Sequence, residues 1–177
     1  MSKNILIISA HTYFQNSTVN KHILDELRVK LPKAEIVQLD TVYPDHKINV
    51  KAEQDRLTKA DIVVFQFPMF WFNTPTLIQL YLEEVFTHGW AYGSKGHALN
   101  GKTLLLSLTS GEAEEKLGKI EDFYLNLKQT AIFTGMKYGG IVNSSGYSHI
   151  SGEESRKRAL EIADKHVAKL VETLNKL

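Results

Sequence analysis

The sequence predicts a doubly wound α/β fold on a mostly parallel, five-stranded sheet. Five short runs rich in aliphatic residues recur along the chain, at 5–8, 35–39, 62–67, 103–108 and 136–142. Segments with helical spacing separate them, which is the alternation that builds βαβ units. The runs at 5–8, 62–67 and 103–108 are almost continuously apolar, as strands covered on both faces are. In such a sheet the ligand lies beyond the carboxyl ends of the strands, near the point where the strand order reverses.

The first strand is Ile5-Leu6-Ile7-Ile8. After a polar loop, Val19, Ile23, Leu24, Leu27 and Leu31 recur at helical spacing, and Pro32 marks the stop. The run at 35–39 is a weaker strand. Residues 40–50 are expected to be irregular, with Tyr43-Pro44-Asp45 as a turn, and 51–59 as a short helix. Ile62-Val63-Val64-Phe65-Gln66-Phe67 is the clearest buried strand, with Pro68 expected to end it. A helix follows from Pro75 to about Thr87, because proline is well tolerated in a first turn. Residues 89–101, with four glycines, read as an ordered loop. One helix is expected over 113–133, carrying Ile120, Phe123, Tyr124 and Leu127 on one face. The last helix opens near Ser151, where Ser151 and Glu154 form a capping-box pattern. Leu160, Ala163, Val167, Leu170, Val171 and Leu174 then make an apolar stripe.

Composition narrows the function. The 177 residues are expected to form a single domain over 1–177, with no linker or repeat dividing them. The 21 Lys+Arg against 20 Asp+Glu leave a formal charge of +1, which offers no footprint for nucleic acid and argues against a strongly acidic electron carrier. The absence of cysteine excludes disulfides, thiolate zinc sites, iron–sulfur clusters and thiol catalysis. No apolar run reaches the roughly 18 residues of a membrane span. The amino terminus runs directly into the first strand without a signal-peptide core, so a cytoplasmic protein is expected.

Three loops should carry the chemistry. The first, from His11 to Asn20, is rich in hydroxyl and amide groups and opens a helix. The free N–H groups and dipole there make an anion site, with Ser17 or Thr18 as ligands beside Val19 and Asn20. Ser17 serves equally as a plain helix N-cap. His11 serves either as a cationic aid to a phosphate or as a hydrogen-bonded loop residue. The second loop, Pro68-Met69-Phe70-Trp71-Phe72, sets three aromatics directly after a buried strand, which suits a flat ligand, an aromatic plug or a dimer contact. The third, Thr109-Ser110-Gly111-Glu112, has small residues that admit a close backbone approach, or form a simple turn. Together they suit a mononucleotide with a flat ring, such as FMN. Trp90 and Tyr92 stand in a glycine-rich loop, and exposure there would favour an interface.

Further residues carry a resemblance. They are His11-x-Tyr13-x-x-x-Ser17-x-x-Asn20, Tyr43-Pro44-Asp45, Ala52-Glu53-Gln54, Ala60-Asp61, Pro68-Met69-x-Trp71, Pro75, Val85-Phe86-x-His88-Gly89-Trp90-Ala91-Tyr92-Gly93 and Leu99-x-Gly101-Lys102. In these the chain resembles the NAD(P)H:quinone oxidoreductases of flavodoxin-like fold. Within that family it is most similar to the ancillary oxidoreductases of glutathione-gated potassium-efflux systems. The likeness covers about residues 4–111 and is most specific over 68–93.

The resemblance implies strand order 2-1-3-4-5 and a homodimer holding FMN, with FAD in other branches. It implies that the flavin phosphate sits on the loop of His11 and Ser17 to Asn20, with the ring along Met69 to Phe72 and its other edge against Thr109 to Glu112. NAD(P)H would deliver a hydride and leave, and a quinone-like acceptor would then take its place, a ping-pong scheme. An alternative role is regulatory: the flavoprotein docks on and activates a potassium-efflux membrane protein, reaching the membrane only through that partner. Two departures stand out. Glu112 occupies a position where the family usually has glycine, so its carboxylate faces either the ring or solvent. The loop over 111–122 holds neither the Tyr nor the His of the FAD branch, so no catalytic acid or base is carried over. Tyr147 and His149 are the remaining candidates, and the short loop favours FMN over FAD.

Overall fold

The computed structural model describes residues 3–147 and 152–177. Five strands, β1 (Ile5–Ser9), β2 (Glu35–Gln38), β3 (Ile62–Pro68), β4 (Thr103–Thr109) and β5 (Lys137–Ser144), form one sheet in the order β2-β1-β3-β4-β5. Every neighbouring pair is parallel. The order reverses between β1 and β3, which opens a crevice at their carboxyl ends.

The period-two alternation of the strands explains the two cores. Ile7, Val64 and Leu105 face one side, where α1 (Thr18–Lys30) and α8 (Gly152–Lys176) bring Ile23, Leu24, Leu27, Val167 and Leu170. Leu6, Ile8, Val63, Phe65, Leu104 and Leu106 face the other side. There they meet Leu39 of α2 (Leu39–Val42), Leu57 of α3 (Val50–Lys59) and Tyr81 of α4 (Thr76–Val85). The helix ends are capped as their residues dictate: Ser17 Oγ accepts from Asn20 N–H, and Asn49 Oδ1 accepts from Ala52 N–H.

Four local readings change. The segment expected as one helix over 113–133 is three, α5 (Glu114–Leu117), α6 (Ile120–Phe123) and α7 (Leu125–Phe133). Gly118, at φ +81°, separates the first two. The stretch expected to be irregular begins with α2 before the turn at Pro44. Pro68 is the last residue of β3 and not its breaker; the pairing with β1 stops at Ser9 and Gln66, so no β1 carbonyl needs its missing N–H. Trp90 and Tyr92 are not exposed: both pack against the core, and Tyr92 stacks at 5.4 Å on Phe133. The Ser151 of the expected capping box lies outside the described residues.

His166, on α8, is 2% exposed. Its Nε2 lies 2.8 Å from Ser107 Oγ and its Nδ1 2.9 Å from Ser144 Oγ, which joins α8 to β4 and β5. Burial, aided by Lys169, pushes its pKa down from 6.5 to about 4. The unfolded chain therefore binds the extra proton first, so stability is complete above about pH 6.5 and falls as the pH drops toward 4. We expect the melting temperature to decline across that window and the decline to flatten in His166→Gln. Equal slopes in thermal melts of the two proteins would refute this account.

Candidate functional site

The crevice at the switch point holds a cavity of about 510 Å³. Its walls come from all three loops: His11 and Ser17 to Asn20 from the first, Pro68 to Phe70 from the second, and Thr109 to Gly111 from the third, with Tyr147 beside them. A recess of about 200 Å³, sharing Met69, Ser110 and Gly111, continues it past Trp71, Phe72 and Glu112. Every described residue named from the sequence as a candidate thus lines one continuous depression; His149 lies outside the described residues. Two larger clefts, about 590 and 540 Å³, sit at the amino ends of the strands. The first is lined by lysines and aliphatic residues such as Leu31, Leu174 and Leu177, the second by lysines with Asp61 and Tyr138; neither has a helix N-terminus, and neither draws on the three loops.

The first loop is held by its own polar groups. A single 3₁₀ turn (Phe14–Asn16) brings the chain round, and Asp40 Oδ2 accepts from His11 N–H at 2.6 Å. His11 Nδ1 accepts from Tyr13 N–H at 3.0 Å, and burial pushes the imidazole pKa below its ordinary value. His11 is thus a neutral ring whose Nε2–H is its donor, and not the cation the sequence allowed. At the head of α1, Ser17 takes the Asn20 N–H, while the first helical N–H groups, those of Thr18 and Val19, have no intrahelical acceptor. No acid stands in the first turn of α1, and no carboxylate lines the larger cavity. This end is built for an anion.

The second loop is a two-residue reversal. Phe70 and Asn73 exchange both backbone hydrogen bonds at 3.0 Å, and the residues between them, Trp71 and Phe72, have φ of +50° and +62°. Positive φ at both central positions is the mark of a type I′ turn, where asparagine and glycine are the usual occupants. For bulky residues that conformation costs on the order of 1–2 kcal/mol each. The turn nevertheless holds Trp71 93% exposed at the rim of the recess, while Phe72 packs at 5.3 Å on Phe123. Met69 N–H donates to Thr109 O at 2.7 Å, tying this loop to the third.

In the third loop, Ser110 N–H donates to Ser144 O, and Ser110 Oγ to Glu112 O. The Glu112 carboxylate accepts from Ala113 N–H at 3.0 Å and pairs with Lys116 at 3.2 Å. Its charge is thus engaged on the helix side. Tyr147 O–H donates to Ser144 Oγ at 2.9 Å, and burial raises its pKa. Among the described residues, none of the loop over 88–98 lines either cavity, so the aromatics at 90–92 serve packing. Tyr13, which the sequence marked only as part of the resemblance, and Asn16 and Leu117, which it did not mark as ligands, complete the lining.

An anion end free of carboxylates, joined to an aromatic and backbone-lined recess, fits a phosphate-bearing molecule with a flat ring. The fold and this site place the chain in the flavodoxin-like fold family, whose model matches residues 3–168; the chain belongs to it. It is 43% identical over 139 residues to the glutathione-regulated potassium-efflux system ancillary protein KefF of Enterobacter sp. strain 638, covering 76% of this chain and 78% of the relative. Among solved structures it resembles general stress protein 14 of Treponema denticola in complex with FMN, at 32% identity and TM-score 0.85, covering 96% of this chain and 99% of that one. It also shares its fold with an NADPH-quinone reductase from P. pentosaceus, at 21% identity and TM-score 0.75, covering 93% and 97%. Among the described residues, no helix is long and apolar enough to cross a membrane, and no group of three His, Asp or Glu is placed to hold a metal.

Proposed function

We propose that this chain is an FMN-dependent NAD(P)H oxidoreductase that reduces quinones or similar electron-poor aromatics by a ping-pong hydride scheme. The observation that carries the reading is the carboxylate-free head of α1 joined to the strained aromatic turn in one depression. The FMN complex of the Treponema denticola relative supports it.

Ser17, Thr18, Val19 and Asn20, with His11 as a neutral donor, would hold the phosphate. Pro68 to Phe72 would hold one side of the ring and Thr109 to Glu112 the other. When bound, the flavin supplies two-electron hydride chemistry that no side chain here can perform. The exposed wall at Trp71 leaves room for a flat donor or acceptor to stack. Tyr147, whose hydroxyl proton goes to Ser144, would offer it only an acceptor oxygen and the edge of its ring. FMN is favoured over FAD because the short third loop offers no further lobe for an adenosine. We take residues 1–177 as a single domain, working in the cytoplasm as a homodimer; Ile132 and Phe133, exposed at the end of α7, support an apolar contact between copies.

A second reading rests on the 43% identity to KefF: the same flavoprotein binds and activates a potassium-efflux membrane protein. The two roles are compatible.

The first test is an absorption spectrum of the freshly purified protein, with chromatography of the released cofactor. Flavin bands that elute as FMN, followed by NADH or NADPH oxidation with a quinone and parallel double-reciprocal lines, are the expected result. A colourless protein that binds no added flavin would remove the enzymatic reading. Elution as FAD would correct the cofactor.

A further inference from the structure

Gln66 interrupts the apolar run of β3, is 0% exposed, and has no part in lining the cavity. Its amide oxygen is anchored by Ser9, and from its amide nitrogen a chain of hydrogen bonds leads to the anion end of the site. Gln66 Oε1 accepts from Ser9 Oγ at 2.8 Å, and Gln66 Nε2 donates to Asn20 Oδ1 at 2.8 Å. The same Asn20 oxygen accepts from Thr109 Oγ1 at 3.3 Å. With its oxygen turned inward to two donors, Asn20 must present Nδ2 outward, and Nδ2 donates to Ser17 Oγ at 3.3 Å beside the bond from Asn20 N–H at 3.1 Å.

The consequence lies on Ser17. A serine hydroxyl has two acceptor sites and one proton. Both acceptor sites are taken by Asn20, so the remaining proton is the group's only free function. Ser17 is thereby fixed as a donor at the head of α1, where Thr18 and Val19 offer backbone N–H groups. A flipped Asn20 amide would instead place an oxygen against Ser17 and draw that proton away from the cavity.

We propose that Gln66 is a positioning residue for anion recognition: through Asn20 it fixes Ser17 as a hydrogen-bond donor to the terminal phosphate of the bound mononucleotide. The proposal rests on the FMN reading above and deepens it. It assigns selectivity for the phosphate to a residue that is buried behind the site. Sequence reading named Ser17 and Asn20 but not Gln66 or Ser9, although a glutamine inside an apolar strand was a visible signal.

The test compares FMN with riboflavin, which has the same ring and no phosphate, by fluorescence quenching on the apoprotein. The wild type is expected to bind FMN at least tenfold more tightly than riboflavin. Gln66→Leu should weaken FMN at least tenfold and leave riboflavin within twofold, so that the preference collapses. Gln66→Met, close in shape and without either hydrogen-bonding end, should collapse the preference as Gln66→Leu does. Ser9→Ala, remote from the cavity and small enough to be tolerated, guards against a variant that does not fold. It should lower the FMN-to-riboflavin ratio at least threefold. If these variants keep the wild-type ratio, or lose both ligands equally, Gln66 is merely structural and the proposal fails while the FMN reading stands. A wild type that binds neither ligand would overturn the FMN reading itself.

Discussion

Glu53→Ala is expected to lower the melting temperature by roughly 10 °C. Glu53 is 0% exposed on α3, yet its carboxylate is fully engaged. Oε1 accepts from Tyr43 O–H at 2.6 Å and from Arg56 Nη1 at 2.5 Å, and Oε2 accepts from Tyr81 O–H at 3.3 Å. Arg56 also donates to Glu35 Oε1 at 2.7 Å, which draws β2 into the group. One carboxylate thus ties α3 to the end of α2, to α4 and, through Arg56, to β2. Removing it leaves Arg56 with Glu35 but strands two tyrosine hydroxyls in the core. Each unsatisfied hydroxyl costs about 1–3 kcal/mol, so roughly 4 kcal/mol is lost in all. That is a large share of a typical domain's 5–15 kcal/mol. Glu53→Gln keeps a carbonyl acceptor and should lose about half as much. In a Tyr43→Phe, Tyr81→Phe background the further cost of Glu53→Ala should fall below about 2 kcal/mol, because the stranded donors are gone. A single variant that melts within 2–3 °C of the wild type, on the order of 1 kcal/mol, would contradict this account.

The Glu53 group also shows what a sequence carries and what it hides. Tyr43 and Glu53 were legible as part of a family resemblance, but nothing in their spacing of ten residues distinguishes a buried strut from a ligand site. Only the packing of α4 against α3, which brings in Tyr81, decides it. The strands were legible because burial on both faces writes a continuous apolar run, as in Ile62 to Phe67, while their order came with the family resemblance. The stretch over 113–133 reads as one helix because Ile120, Phe123, Tyr124 and Leu127 keep helical spacing across α6 and α7, whereas the breaks fall at Gly118, at positive φ before that stripe begins, and at Tyr124 within it. Trp90 and Tyr92 show another limit: an aromatic in a glycine-rich loop looks exposed until the surface it packs on, here the core and Phe133, is in place. The candidate site was legible to the level of loops, since the fold class sends three loop beginnings to one edge, where they line one depression. The state of His11, the orientation of Glu112 and the role of Gln66 depend on hydrogen bonds between residues 29 to 46 positions apart or on local charge pairing, which periodicity does not record.

Relaxing the turn at Trp71 and Phe72 should make the protein more stable and a poorer flavin binder. The double variant Trp71→Asn, Phe72→Gly places the residues that a type I′ turn favours at two positions now strained at φ of +50° and +62°. Relief of roughly 1–2 kcal/mol at each position is offset in part by the lost contact between Phe72 and Phe123, about 1 kcal/mol. Trp71, 93% exposed, takes almost no packing with it. The net gain is about 1–3 kcal/mol, or a rise of roughly 3–9 °C in melting temperature. Removing both aromatics from the rim of the recess should weaken FMN at least tenfold, which corresponds to about 1.4 kcal/mol. The opposition of the two signs is the point of the experiment. Strain of this kind persists only where the surrounding structure holds it, and a use at the site is the reading that the two measurements test. Melting curves and an FMN titration on the same preparations decide it. A double variant that is less stable than the wild type would show that the turn is not strained. One that is more stable and binds FMN as the wild type does would show that the aromatics do not serve the cofactor.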